Sequence, residues 1–146
     1  MRVGICVGAV FLAIGIGAAL AQTDSIATRR EIMKGVGSAT GELGKMAKGE
    51  APFDLTKVQA ALKTYADASA KMPKLFPDNS KQGGETKALP KIWEDKADFT
   101  ARFEKFGKES SAAESTIKDV ATFRPTFAAL AKNCGSCHEL YRTPIH

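Results

Sequence analysis

The stretch "NCGSCHELYR", Asn133 to Arg142, places Cys134 and Cys137 three residues apart and sets His138 directly after the second. It closes an apolar stripe of helical period formed by Phe123, Phe127, Leu130, Cys134, Cys137 and Tyr141. On such a helix Cys134 and His138 lie one turn apart and face the same way.

Three chemistries use this cluster. A redox dithiol of the thioredoxin kind sits in a βαβ setting, and nothing in the chain after residue 21 reads as a strand. Tetrahedral zinc wants four ligands, and only the terminal His146 could join Cys134, Cys137 and His138. Covalent haem attachment needs what is there: two thiols to form thioethers with the haem vinyl groups, and a histidine beneath the iron. The spacing selects haem c.

The start of the chain agrees. Arg2 is followed by an uncharged apolar run from Val3 to Leu20, and Ala19 to Ala21 supply the small-x-small pattern of a signal peptidase site. Residues 1–21 are read as a signal peptide and 22–146 as the exported domain, beginning at Gln22. An uncleaved membrane anchor is the alternative, because the run approaches spanning length. Cleavage removes Cys6 and leaves Cys134 and Cys137 as the mature thiols, in a periplasmic protein.

The 146 residues allow one domain with one core. The formal charge of +5 is scattered, without the basic stripe that nucleic acid requires. Four helices are expected. The first carries Ile26, Met33, Val36, Thr40, Leu43 and Ala47; Gly35, Gly37, Gly41 and Gly44 weaken it and would let a planar ligand approach. Asp54 caps the second, marked by Leu55, Val58, Leu62, Tyr65, Ser69 and Met72 and stopped by Pro73 and Pro77. A polar crossover, "FPDNSKQGGETKALP", leads to a third that starts at Pro90 and runs through Ile92, Phe99, Phe103, Phe106, Ala113 and Ile117. Pro125 opens or kinks the fourth. The expected fold is all-α, an antiparallel four-helix bundle with haem near the C-terminal end of the last helix.

That arrangement resembles the cytochrome c-prime family, the class II c-type cytochromes. The likeness spans the mature chain and is carried by "RREIMKGVG" (29–37), "KGEAPFD" (48–54), "LFPDNS" (75–80), "ALPKIWEDKADF" (88–99) and "CGSCHELYR" (134–142). It implies one of two branches. In the low-spin branch a methionine of the first helix completes a six-coordinate iron that passes electrons; Met33 aligns with that ligand. In the high-spin branch the iron stays five-coordinate and takes small gases such as NO or CO, and Met33 is then core filler, the commoner role for such a methionine.

The resemblance also places Arg142 near the proximal His138, to meet a haem propionate or tune the histidine. Arg29, one turn before Met33, is placed to reach a propionate. Surface solvation is the plain alternative for both. Met46 and Met72 are read as core, and Lys45, Lys48 and Lys132 as candidates for a basic docking rim. The expected function is electron transfer with redox partner proteins, not enzymatic catalysis; the alternative is gas binding. Family members often pair through their first two helices, and the small residues along the first helix permit a homodimer without choosing between monomer and dimer.

Overall fold

The computed structural model describes residues 14–144, with side chains described from residue 25. The signal-peptide reading lies outside these residues apart from the backbone of its last eight positions, and His146 lies outside them altogether. Five helices follow in order: α1 (Ile14–Lys48), α2 (Leu55–Lys71), α3 (Lys91–Glu94), α4 (Lys96–Thr116) and α5 (Val120–Tyr141). Two short 3-10 turns, Met72–Leu75 and Asp78–Ser80, lie in the crossover between α2 and α3. Among the described residues no helix is long and apolar enough to cross a membrane.

Local chemistry sets the helix ends. Gly49 takes φ +79° after α1. Its N–H donates to Met46 and that of Glu50 to Lys45, the paired bonds of a glycine-terminated helix. Asp54 caps α2 by accepting from the Lys57 N–H at 3.1 Å, as expected. Asp119 and Thr122 cap α5 reciprocally. The helix therefore starts at Val120, and Pro125 sits inside it instead of opening it.

The third expected helix is divided. Asp95, at φ −135° and ψ 61°, leaves helical geometry, and its carboxylate accepts from the Asp98 N–H to start α4 anew. The short α3 is thus a separate turn beside the bundle.

α1 and α4 run parallel, with α2 and α5 opposed to them, because the core falls into two clusters at opposite ends. One joins the end of α1 (Leu43, Met46), the start of α2 (Val58, Leu62), the end of α4 (Ala113, Ile117) and the start of α5 (Phe123, Leu130). Phe123 is fully buried there, a contribution of roughly 1.5–3 kcal/mol for such a side chain. The other gathers Met72, Phe76, Ile92, Phe99, Phe103 and Tyr141. Phe99 is its hub, edge-on to Phe76, Phe103 and Tyr141 at centroid distances of 4.7 to 5.2 Å. α2 packs most extensively against α4, whereas α1 and α5 touch sparingly.

Candidate haem site

The space that α1 and α5 leave between them is a cavity of about 970 Å³ at the end of the second cluster. Cavities of this size stand at the upper end of those that hold organic ligands. Each wall follows from a helical stripe. α5 supplies Cys134, Cys137 and His138; α1 supplies Ile26, Arg29, Met33 and Val36 at three- and four-residue steps; α4 supplies Phe99, Phe103 and Phe106. The fourth wall is the crossover, through Phe76 and residues 84–88.

Cys134 and Cys137 form no disulfide and are half-buried. Burial pushes each thiol above its ordinary pKa. It lowers that of His138, and the nearby Arg142 charge acts in the same direction. Both effects favour the neutral imidazole, the form in which histidine binds a metal. Among the described residues no three His, Cys, Asp or Glu side chains are grouped to hold a bare metal ion. Two thiols and an imidazole along one wall, apolar and aromatic side chains from α1, α4 and the crossover, and room for a large planar ring fit haem c.

All six expected site residues line the cavity. Cys134, Cys137, His138, Met33 and Arg142 line it, and Met33 packs against the aromatic cluster. Arg29 also forms part of the wall, but its terminal N–H groups donate to the crossover: to the Leu75 carbonyl and to Ser80 and Thr86.

Met46 and Met72 are both buried in the core, as read, and Met72 also reaches the cavity. Lys45 and Lys48 end α1 at the far end of the bundle. The cations at the cavity are instead Arg29, Arg30, Lys34, Lys87, Arg102, Lys105 and Arg142. The α1 glycines are not among the residues that line the cavity, and a Cβ built at Gly35, Gly37, Gly41 or Gly44 meets nothing within 4 Å.

One cluster escaped the sequence reading. Asp98 accepts from both the Tyr141 hydroxyl and Arg102, beside the cavity. These bonds pull Asp98 below the usual carboxylate range. Burial and the Asp98 charge push Tyr141 up to about 12. The four-residue spacing of Asp98 and Arg102 was a visible signal; the tyrosine arrives from another helix.

The chain's strap-like end completes the wall. Ala88 and Arg142 form an isolated antiparallel bridge. Leu89 N–H donates to the Tyr141 carbonyl at 3.0 Å, and Thr143 N–H to that of Lys87 at 2.9 Å.

Comparison with known proteins gives concordant results. Residues 24–142 match the family described as Cytochrome C'. A cytochrome c' of Rhodopseudomonas palustris is 47% identical over 142 residues, covering 97% of each chain. A cytochrome c-556 of the same species is 36% identical over 146 residues, again covering 97% of each. The solved structure of R. palustris cytochrome c' superposes with a TM-score of 0.82 at 47% identity, covering 84% of this chain and 98% of that one. A solved variant of that cytochrome carries substitutions at its first residue, a glutamine, and at a phenylalanine and a tryptophan farther along. Gln22, Phe53 and Trp93 stand at the same spacing here. With fold, cavity and sequence in agreement, the chain belongs to the cytochrome c' family and is a monohaem c-type cytochrome with covalently attached haem c.

Proposed function

We propose that Cys134 and Cys137 form the two thioether links, that His138 is the proximal ligand and Met33 the distal one, and that the protein carries electrons between redox partners in the periplasm. The observation that carries this reading is the position of Met33. It lies on α1, in the wall of the same cavity that α5 lines with the cysteines and His138. A soft thioether opposite histidine suits haem iron and raises its potential.

When bound, the haem supplies a one-electron couple at its iron. The rest is the work of the chain. Phe99, Phe103 and Phe106 give the cavity an apolar wall that would exclude water, and α5 would hold the group through its two thiols and imidazole. Arg142 is near enough to His138 to lower its basicity. No bond-making step is assigned, because His138 is the only histidine among the lining residues and no second imidazole stands by as acid or base.

Export after Ala21 belongs to the same reading. The spacing shared with a relative whose first residue is a glutamine supports Gln22 as the mature start. A homodimer through α1 and α2 is the assembly proposed, supported by the outward, open face of Gly37 and Gly41.

The second reading is five-coordinate iron that binds NO or CO, with Met33 packing only. What favours it is that the chain is more similar to the relative named cytochrome c' than to the one named cytochrome c-556. Absorption spectra of both oxidation states decide between the two. A sharp, split low-spin spectrum of the reduced protein, with slow or no CO binding, is expected. A high-spin reduced spectrum with rapid CO binding would replace electron transfer by gas binding.

A further inference from the structure

Arg29 is a cation at a core position. It falls between Ile26 and Met33 in the stripe that faces the bundle interior, and it is 5% exposed. Its Nη1 donates to the Leu75 carbonyl at 3.1 Å and to Ser80 Oγ at 2.9 Å. Its Nη2 donates to the Ser80 carbonyl at 3.2 Å and to Thr86 Oγ1 at 3.2 Å. The guanidinium also lies over the Phe76 ring, 4.4 Å from its centroid.

Every acceptor is neutral, and among the described residues no carboxylate pairs with Arg29. A charge withdrawn from water without a counter-ion is costly, and burial lowers its pKa accordingly. The arrangement persists because the planar fork satisfies four acceptors at once, which a lysine ammonium cannot do. The four terminal N–H groups are thereby committed to residues 75–86. Only Nε–H is left for anything in the cavity.

Those acceptors belong to the cavity wall or adjoin it. Phe76 lines the cavity, as do Thr86 and Ala88, and Thr86 Oγ1 also accepts from the Ala88 N–H at 3.2 Å. The opposite side of the same segment is held by Tyr141 and Thr143 at the end of α5. The crossover is therefore a beam from α1 to α5 across a pair of helices that touch each other little. Arg29 fastens one end of it, one helical turn from Met33.

We propose that Arg29 is a positioning residue: it anchors the crossover to α1 and so sets the separation between the Met33 and His138 walls. The inference rests on the haem-cavity reading but not on Met33 binding the iron.

The test uses the holoprotein in three forms: unmodified, Arg29→Lys, and the double variant Ser80→Ala/Thr86→Val, which leaves the charge in place. Amide exchange of residues 75–86 should accelerate about 10- to 100-fold in both variants, as expected for lost hydrogen bonds to a charged group. CO association with the ferrous protein should change by about tenfold in both, relative to the unmodified protein. A propionate anchor predicts a silent double variant. The proposal is overturned if the double variant leaves exchange and CO association unchanged, or if exchange accelerates while CO association does not move. Should Arg29→Lys yield no mature protein, the double variant decides alone. A high-spin spectrum of the unmodified protein would sink ligation by Met33 without touching this result, because amide exchange of residues 75–86 is read in either spin state.

Discussion

Gly107 on α4 meets Ser69 on α2 so closely that a Cβ at position 107 would lie 3.0 Å from the Ser69 Cβ. The hydroxyls nearby are satisfied within their own helices: Ser69 donates to the Tyr65 carbonyl and Ser110 to that of Phe106. The seam is therefore free of polar demands and limited only by bulk. Replacing an exposed helical glycine with alanine gains up to about 1 kcal/mol, whereas overpacking costs about 1–3 kcal/mol. Gly107→Ala should lower the thermal midpoint and Gly41→Ala, whose Cβ meets nothing, should raise it. A rise for both would show that α2 and α4 separate freely.

Asp119 begins α5 with a carboxylate that accepts from the Thr122 N–H at 2.8 Å. The Thr122 backbone and side chain hold its pKa below the usual carboxylate range. A depressed carboxylate stabilises the fold above its unfolded pKa, and that contribution disappears as pH falls through the lower folded value. Asp119→Ala should thus melt earlier than the unmodified protein at pH 7, with the gap closing as pH falls below about 4. Melting curves across that range check it; a gap independent of pH would remove the carboxylate from the account.

Covalent attachment predicts that haem stays with the polypeptide in acid-acetone. Cys134→Ala or Cys137→Ala should leave at most one thioether and a poorly matured product, visible as haem stain lost from denaturing gels. Complete extraction of haem from the unmodified protein would refute attachment.

Met33→Ala examines the distal side. If the thioether is held on the iron, its removal should turn the iron high-spin, lower the reduction potential and permit rapid CO binding. Spectra and potentials that do not change would leave Met33 as a packing residue beside Phe76 and Phe103.

The stripes that announced four helices are physical: Leu43, Val58, Phe103 and Phe123 had to face inward wherever the chain turned. The haem motif was equally legible, since Cys134, Cys137 and His138 lie within one helical turn and their geometry is local. The break at Asp95 was hidden because Ile92 and Phe99 keep helical spacing across it. The role of the crossover was hidden for another reason. Arg29 finds its partners 51 and 57 residues away, at Ser80 and Thr86, and such pairings leave no period in the sequence. The α1 glycines stand outside the cavity wall, because a small residue marks where a body can approach and not which one.

The two separate core clusters have a consequence for how the cytochrome is made. The far cluster, around Leu43, Leu62, Ile117 and Phe123, closes on its own side chains. The near one is built around the space for a cofactor. Before maturation the polypeptide should accordingly be folded at one end and loose at the other, with local opening concentrated where contacts are fewest. Cys134 to His138 should then be open to thioether formation while the far end of the bundle is already in register. Because the thioether bonds do not reverse, closure of the near end then acts as a one-way ratchet, and folding and cofactor loading finish as a single event.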